Sequence, residues 1–145
     1  MIYIYSFIVF FLVCIGFIDA KTFYIPNKLL LCLLGSVILY TIFFWDSIFF
    51  VHQILGFLGG FWLFFLIYKI VGGMGYGDVK FSAVLGFTLG IYYWFFAMLF
   101  AVFSAMTVFI FLYLKKRWTA KTKIPFGPFI SFGGIIMIVT RLLQI

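Results

Sequence analysis

The sequence predicts an all-α, polytopic integral membrane protein of about six transmembrane helices. Of its 145 residues, 68% are hydrophobic and only 9% are charged, and the mean hydropathy is +1.33. A soluble domain of this size has too little interior to hide so much apolar surface from water. Long apolar runs separated by short polar segments are instead typical of helices that cross a lipid bilayer. We expect a single membrane-embedded domain over residues 1–145.

Apolar runs bounded by polar residues, glycine or proline give the predicted helices. Their expected bounds are Ile2–Ile18, Lys28–Phe44, Ile48–Val71, Asp78–Leu89, Ile91–Leu114 and Phe126–Leu143. As a single helix, residues 79–114 would be about 54 Å long, well beyond a hydrocarbon core of about 30 Å, so this run must break. Gly90 is the predicted break because aromatic residues typical of a membrane interface follow it. The fourth helix is then too short to span a bilayer comfortably.

Basic residues alternate along the predicted loops. The first, third and fifth loops and their flanks contain them, at Lys21, Lys28, Lys69, Lys80 and five positions between residues 115 and 123. Because Lys and Arg accumulate in cytoplasmic loops, these three loops are predicted to be cytoplasmic and both termini to be outside. Arg141 is the exception, and its long side chain can extend to the outer interface. The net charge of +7 is explained by these loops, without nucleic acid as a partner.

All three acidic residues of the chain are aspartates. Asp19 ends the first predicted helix and Asp78 begins the fourth, so both lie on the predicted cytoplasmic side. Asp46 lies on the other side, where it is expected to cap the third helix. A carboxylate at a membrane boundary is costly to maintain, which suggests function. The structural alternatives are a helix N-cap for Asp78 and a solvated surface residue for Asp19.

The few reactive side chains restrict the possible chemistry. His52 is the only histidine and lies on an apolar helix near the predicted outer surface, which argues against a serine or cysteine triad, an H-E-x-x-H site and a metal site. Cys14 and Cys32 lie inside apolar runs and are expected to be buried thiols. We therefore expect neither a cofactor nor a metal. Two aspartates that share a proton and activate water remain as the hydrolytic option.

Three segments stand at predicted helix boundaries. They are Asp19 followed by Ile25-Pro26-Asn27, then Gly75-Tyr-Gly77-Asp78-Val-Lys80, and finally Ile124-Pro-Phe-Gly-Pro128. The second matches the G-x-G-D-x-K motif of the type IV prepilin peptidases, which are intramembrane aspartyl proteases, and the other two resemble further segments of that family. The resemblance covers nearly the whole chain. It implies that Asp19 and Asp78 are the catalytic pair and that the supporting residues are Gly75, Gly77, Lys80, Pro26 and Asn27.

The resemblance implies an endopeptidase that removes the basic leader peptide from type IV prepilin-like precursors, with the cut after a small residue, usually Gly. It places the reaction at the cytoplasmic face of a bacterial inner membrane. Larger members carry an N-terminal region with paired Cys-x-x-Cys that is linked to N-methylation. Here the first predicted helix starts at residue 2 and no Cys-x-x-Cys occurs, so we expect cleavage without methyl transfer. Two other classes stay open: a small proton-coupled transporter and a non-catalytic pilus or secretion assembly factor.

The helix ends predict which aspartate holds the proton. Asp19 lies at the negative C-terminal end of its helix, whereas Asp78 lies at the positive N-terminal end of its own helix. Two neighbouring carboxylates also oppose each other's ionisation. We therefore predict that Asp19 is the protonated partner and that Asp78 is the ionised one, which accepts a proton from water.

Overall fold

The structure, a computed structural model, describes residues 2–44, 46–71, 74–115 and 125–143. These residues form six helices and no strand, which confirms the predicted all-α class. The helices are α1 (Ile2–Thr22), α2 (Asn27–Phe43), α3 (Ser47–Val71), α4 (Tyr76–Leu89), α5 (Ile91–Leu114) and α6 (Gly127–Leu143). Most of the predicted fifth loop lies outside the described residues.

Several of these helices are suited to a bilayer. Those long and apolar enough to cross a membrane span Tyr3–Thr22, Ser47–Ile70 and Ile91–Leu114. α2 and α6 are also apolar, with 17 residues each. Large apolar side chains are exposed along all of these helices, and exposed apolar surface of this extent marks contact with a membrane. The chain is therefore a membrane protein.

α1 extends one turn beyond its predicted end. The apolar run stops at Ile18, but the backbone stays helical to Thr22, and Phe23 then adopts a left-handed φ of 54°. The N–H of Phe23 donates to the carbonyl of Asp19 at 2.8 Å. The prediction ended the helix too early because it followed the apolar run. The residues of the last turn are mostly polar, but their backbone is still helical. Asp19 thus lies inside the last turn of α1 and not in the loop that follows.

α4 is the shortest described helix and the most enclosed. Its 14 residues give a length of about 21 Å, which is less than a hydrocarbon core of about 30 Å. It packs against α2, α3, α5 and α6, and most of its side chains are buried. This enclosure explains how a helix too short to span the bilayer alone is held within the bundle. It also fixes the position of Asp78, which lies in the first turn of α4.

Small residues bring the helix backbones together. A Cβ atom added to Gly56 of α3 would collide with the carbonyl of Gly86 in α4, and one added to Gly86 would collide with the carbonyl of Gly56. One turn away, Gly60 packs in the same manner against the backbone of Ser82. Gly133 gives α6 a similar approach to α5. Because lipid is as apolar as a helix surface, such close packing is what favours helix association in a membrane.

Two predicted helix ends are confirmed. Gly90 separates α4 from α5 and has a φ of 78°, a conformation that favours glycine. Asp46 caps α3, because its Oδ1 accepts hydrogen bonds from the N–H groups of Ile48 at 3.0 Å and Phe49 at 3.3 Å. These contacts satisfy backbone donors that have no partner within the helix.

One side-chain prediction differs from the structure. Cys14 is partly buried, but Cys32 is exposed, so the prediction of two buried thiols is wrong for Cys32. It lies on the outward face of α2, where a thiol behaves as a small apolar group facing lipid.

Arg141 is partly buried and stacks on aromatic rings near the predicted outer ends of α1, α3 and α5. The rings belong to Tyr5, Phe49 and Tyr93, with centroids 5.7, 4.4 and 5.3 Å from Cζ. The extension of Arg141 to the outer interface stays a prediction.

The predicted topology can be tested by cysteine labelling. In a variant with Cys14 and Cys32 replaced by serine, single cysteines would be placed at Lys21, Tyr76 and Asp46, which are all exposed, and at Lys121, which lies outside the described residues. We expect a membrane-impermeant maleimide to label position 46 in right-side-out vesicles. Positions 21, 76 and 121 should react only after permeabilisation. Labelling of position 76 in sealed vesicles would overturn both the topology and the location of the site.

Candidate active site

The side chain of Asp19, a residue of α1, is hydrogen-bonded to the start of α6. The side chain is buried, and Oδ2 accepts a hydrogen bond of 3.0 Å from the backbone N–H of Gly127, the first residue of α6. The first N–H groups of a helix have no partner within the helix, and they carry its positive end. Asp19 therefore lies at the C-terminal end of α1 but faces the N-terminal end of α6, which stabilises a negative charge on its carboxylate.

The left-handed residue after α1 turns the chain back towards the centre of the bundle. A left-handed conformation costs a residue with a side chain about 1–2 kcal/mol relative to a right-handed one. At Phe23 the conformation is stabilised by the hydrogen bond from its N–H to Asp19, and the hydroxyl of Thr22 donates to the carbonyls of Ile18 and Tyr24. The turn sends residues 24–27 across to α4.

Asp78 lies in the first turn of α4 and is not its N-cap. The N-cap residue is Gly75, whose carbonyl accepts a 3.1 Å hydrogen bond from the N–H of Asp78. The backbone of Gly75 also hydrogen-bonds the Asp78 carboxylate, but Oδ1 of that carboxylate is buried and has no hydrogen-bond partner among the described residues. A buried polar atom without a partner destabilises the fold, and a cap would not require one. The geometry therefore argues against the structural alternative for Asp78.

The two aspartates face one cleft of about 280 Å³ at the end of the bundle where α1 ends and α4 begins. They are close enough for the charge of Asp19 to act on the Asp78 carboxyl group. The remaining lining residues are Phe23, Tyr24, Ile25, Asn27, Gly75, Tyr76, Gly77 and Lys80. All residues of the predicted site except Pro26 therefore meet in this cleft. Pro26 lies just outside it as the N-cap residue of α2, where its carbonyl accepts hydrogen bonds from the N–H groups of residues 29 and 30.

The segment Ile25-Pro26-Asn27 links Asp19 to the glycine loop, which consists of Gly75, Tyr76 and Gly77. A Cβ atom added to Gly77 would lie 3.2 Å from Cβ of Ile25, so the absence of a side chain at Gly77 lets this buried isoleucine pack against the loop. Two residues further on, Oδ1 of Asn27 accepts a 3.2 Å hydrogen bond from Nζ of Lys80. Two of the sequence motifs are therefore in direct contact around the cleft.

Gly127 is a site residue to which sequence reasoning assigned no role. The motif that contains it was placed at the start of the last helix, but no contact with an aspartate was predicted. A Cβ atom at this position would lie 2.5 Å from Oδ2 and 2.9 Å from Cγ of Asp19, so only glycine fits the present arrangement. The available signal was a glycine next to Pro128 at a helix start, where its N–H has no partner within the helix.

The structure favours the proton assignment opposite to the one predicted from the helix ends. That prediction considered only the helix to which each aspartate belongs, and so it missed the N–H of Gly127, which stabilises the ionised form of Asp19. Both carboxyl groups are buried and each opposes negative charge on the other, but Asp78 differs in that its Oδ1 has no hydrogen-bond partner among the described residues. The geometry therefore favours an ionised Asp19 and a protonated Asp78.

Other potentially reactive groups lie elsewhere. Cβ of His52 is 3.4 Å from the position that a Cβ atom on Gly90 would occupy, so this histidine is at the end of α4 opposite Asp78. Among the described residues, no cluster of three or more His, Cys, Asp or Glu side chains could bind a metal ion. What the cleft provides is a pair of carboxyl groups with different environments, which is the arrangement needed for acid–base chemistry on a peptide bond.

Sequence similarity agrees with this arrangement. The profile of the type IV leader peptidase family matches residues 6–114, which contain both Asp19 and Asp78. The prepilin leader peptidase/N-methyltransferase of Pectobacterium carotovorum subsp. carotovorum is 34% identical over 135 residues, or 86% of this chain and 47% of the relative. Leader peptidase HopD of Escherichia coli is 36% identical over 69 residues, or 45% of this chain and 43% of the relative.

The chain spans about half the length of the curated relatives it matches, at 47% and 43%. No solved structure shows a significant match to it. The family match nevertheless covers most of the chain, from residue 6 to residue 114, and includes the aspartate pair and the glycine loop that faces it. The chain therefore belongs to the type IV leader peptidase family.

Proposed function

We propose that this protein is an intramembrane aspartyl endopeptidase that removes the basic leader peptide from type IV prepilin-like precursors. The observation that carries the proposal is the meeting of Asp19 and Asp78 in one cleft, although they come from different helices. The names of the relatives support leader peptides as the substrate class. We further propose that residues 1–145 form one peptidase domain with several passes through the bacterial inner membrane, and that the cleft faces the cytoplasm.

The proposed mechanism uses the unequal environments of the two carboxyl groups. The ionised Asp19 takes a proton from a water molecule in the cleft, and the oxygen of that water attacks the carbonyl carbon of the scissile bond. The protonated Asp78 donates a hydrogen bond, and then its proton, to the carbonyl oxygen. Collapse of the tetrahedral intermediate breaks the C–N bond as a proton passes from Asp19 to the leaving amine, and one hydroxyl of the intermediate returns its proton to Asp78 as the product carboxyl group forms. The pair then returns to its starting state.

The glycine loop suits an extended peptide. Gly75 is exposed at the edge of the cleft, and among the described residues a Cβ atom there would meet only Oδ2 of Asp78 at 3.6 Å and the backbone of Gly77 at 3.9 Å. The space above this glycine is therefore open, so a substrate backbone can approach the Asp78 carboxyl group without meeting a side chain. A cleft at a helix boundary, away from the centre of the bilayer, also has access to the water that hydrolysis consumes.

The alternative functions have less support. A proton-coupled transporter needs ionisable residues along a path through the bilayer, whereas all acidic residues of this sequence lie at helix ends. The buried polar pair of α2 and α3, Thr41 and Gln53, is neutral, with 3.1 Å between Thr41 Oγ1 and Gln53 Nε2. A non-catalytic assembly factor would need no cleft with two carboxyl groups, and a cleavage assay distinguishes it. Cleavage without methyl transfer stays a prediction.

Precursor processing tests the proposed function and its steric basis. Purified protein in detergent should cleave a precursor with a basic leader, a glycine before the cut and a long apolar helix. Replacing that glycine with leucine or tryptophan should lower cleavage by about 10²-fold or more, because the new side chain would displace the scissile bond from the carboxyl groups. Alanine, which is small, serves as the matched control and should be cleaved. Membrane insertion of each precursor would be measured in parallel, and unchanged processing of the tryptophan variant would contradict the steric argument.

A further inference from the structure

The aspartate pair depends on contacts that bridge two parts of the bundle. α1, which carries Asp19, packs mainly against α6, whereas α4, which carries Asp78, packs mainly against α3. Neither helix is the main neighbour of the other. The separation of the carboxyl groups is therefore set indirectly, by α6, which packs against both α1 and α4, and by the short segment Ile25–Asn27, which leads from α1 into α2, a further neighbour of α4.

Lys80 lies in the second turn of α4 and reaches this segment. Its Nζ donates a 3.2 Å hydrogen bond to Oδ1 of Asn27 and lies 5.1 Å from the centroid of the Tyr76 ring, so the ammonium group is held from two sides. Lys80 is only partly buried, and its ammonium group has hydrogen-bonding and ring contacts away from the Asp78 carboxyl group. Lys80 is thus two residues from Asp78 in sequence but directs its ammonium group to another helix.

The contact joins the start of α2 to the second turn of α4 next to the cleft. Asn27 is the first residue of α2, and it follows Pro26, whose ring restricts the backbone. Between Asp19 and Asn27 the chain consists of the last turn of α1 and a short turn stabilised by backbone hydrogen bonds. Holding Asn27 against α4 therefore also limits how far Asp19 can move from Asp78.

We propose that the hydrogen bond between Lys80 and Asn27, which we call the Lys80–Asn27 latch, positions Asp78 against Asp19. In this role Lys80 is a positioning residue that acts through Asn27, and it does not exchange protons with the substrate. The inference rests on the proposed function, because the geometry it maintains is that of the peptidase pair. It predicts separate consequences for structure and for catalysis, and each can be measured without the other.

Disulfide cross-linking measures the structural consequence. A Cβ atom at Gly77 would lie 3.2 Å from Cβ of Ile25, close to the separation of about 3.5–4.5 Å found in disulfides. In a variant with Cys14 and Cys32 replaced by serine, the pair Ile25→Cys and Gly77→Cys should cross-link rapidly when membranes are oxidised. Adding Lys80→Met should slow the reaction several-fold, as judged by mass spectrometry of the linked peptides, whereas adding Lys80→Arg should slow it less.

Lys69→Met is the matched control for cross-linking. Lys69 lies in the last turn of α3, on the same predicted side of the membrane, and stacks on Phe65, with 5.4 Å between Nζ and the ring centroid, but it does not line the cleft. This control should cross-link at the rate of the parent pair. Equal cross-linking rates with Lys80→Met and Lys69→Met, at equal protein levels, would overturn the latch.

Kinetics measure the catalytic consequence in the chain with its natural Ile25 and Gly77. Lys80→Met and Asn27→Ala should each lower kcat by about 10- to 100-fold, because small displacements of catalytic groups have effects of this size. KM should change little, since neither variant removes the open space above Gly75. The double variant should be no worse than either single variant because both break the same contact. Lys80→Arg should recover part of the lost kcat.

Three kinetic results would overturn the latch: additive losses in the double variant, a loss confined to KM, or a loss in Lys80→Met that Asn27→Ala does not share. If the unchanged protein does not process the precursor at all, the proposed function fails. The cross-linking comparison would still decide whether Lys80 holds Asn27 and the loop together. Failure of the latch and failure of the peptidase function therefore give different results.

Discussion

Asp19→Asn and Asp78→Asn should each abolish precursor cleavage, with a loss of about 10⁴-fold or more, and the double variant should be no worse than either single variant. An amide neither takes a proton from water nor donates one to a peptide carbonyl, so loss of either carboxyl group stops the proton transfers that both steps need. Catalytic groups that act as a unit show this lack of additivity. The measurement is precursor processing in membranes, with the amount of each variant checked by immunoblotting.

Asp46→Asn is the matched control for this experiment. Asp46 caps α3 through its Oδ1 and lies outside the cleft, and asparagine is about as good an N-cap as aspartate. This variant should process precursor at the normal rate and accumulate to the normal level. Substantial activity of either Asp19→Asn or Asp78→Asn at normal abundance would mean that the pair is structural, and the peptidase proposal would be wrong.

Gly127→Ala should lower cleavage by about 10²-fold or more while leaving the protein folded. The added methyl group would lie 2.5 Å from Oδ2, 2.9 Å from Cγ and 3.0 Å from Cβ of Asp19, so the carboxylate must move away. This movement breaks the hydrogen bond from the N–H of Gly127 and removes the group that stabilises the ionised form of Asp19. Asp19 is a single side chain at the end of its helix, so the rest of the bundle can stay as it is.

Gly35→Ala provides the comparison for Gly127→Ala. Gly35 lies in the middle of α2, and a Cβ atom there would have nothing within 4 Å. Alanine should therefore be neutral or stabilise the helix by about 0.5–1 kcal/mol, with normal cleavage. Thermal unfolding of both purified variants in detergent separates folding from catalysis. Near-normal cleavage by Gly127→Ala would show that the contact with Asp19 is dispensable for the reaction.

The apolar runs predicted the helices well because hydropathy and helix length together determine what can lie in a bilayer. The same signal failed at the end of α1, where Asp19 and the residues after it are polar but still helical. Hydropathy also gave no indication that α4 is enclosed by four other helices. A short apolar segment has the same hydropathy pattern whether it lies at the surface or at the centre of a bundle.

The aspartate pair was predictable because acidic residues are so rare in this sequence that only Asp19 and Asp78 fall on the same predicted side. The partners of each carboxyl group were not predictable in this way. The bond from Gly127 to Asp19 joins residues 108 positions apart, and only the packing of α6 against α1 brings them together. The structure favours the opposite proton assignment for the same reason, because helix ends that come from distant parts of the chain do not appear in a local pattern.

The enclosure of α4 also has a consequence for biogenesis. A 14-residue helix with Asp78 and Lys80 near its start is too short and too polar at that end to remain in lipid by itself. Its backbone contact with α3 through Gly56 and Gly86 supplies a partner that is synthesised immediately before it, so we expect the two helices to associate as a hairpin during insertion. The N–H of Gly127 reaches Asp19 only once α6, which follows the other five described helices in the chain, has joined the bundle. The active site of the proposed peptidase is therefore incomplete until α6 has been synthesised and has packed against α1.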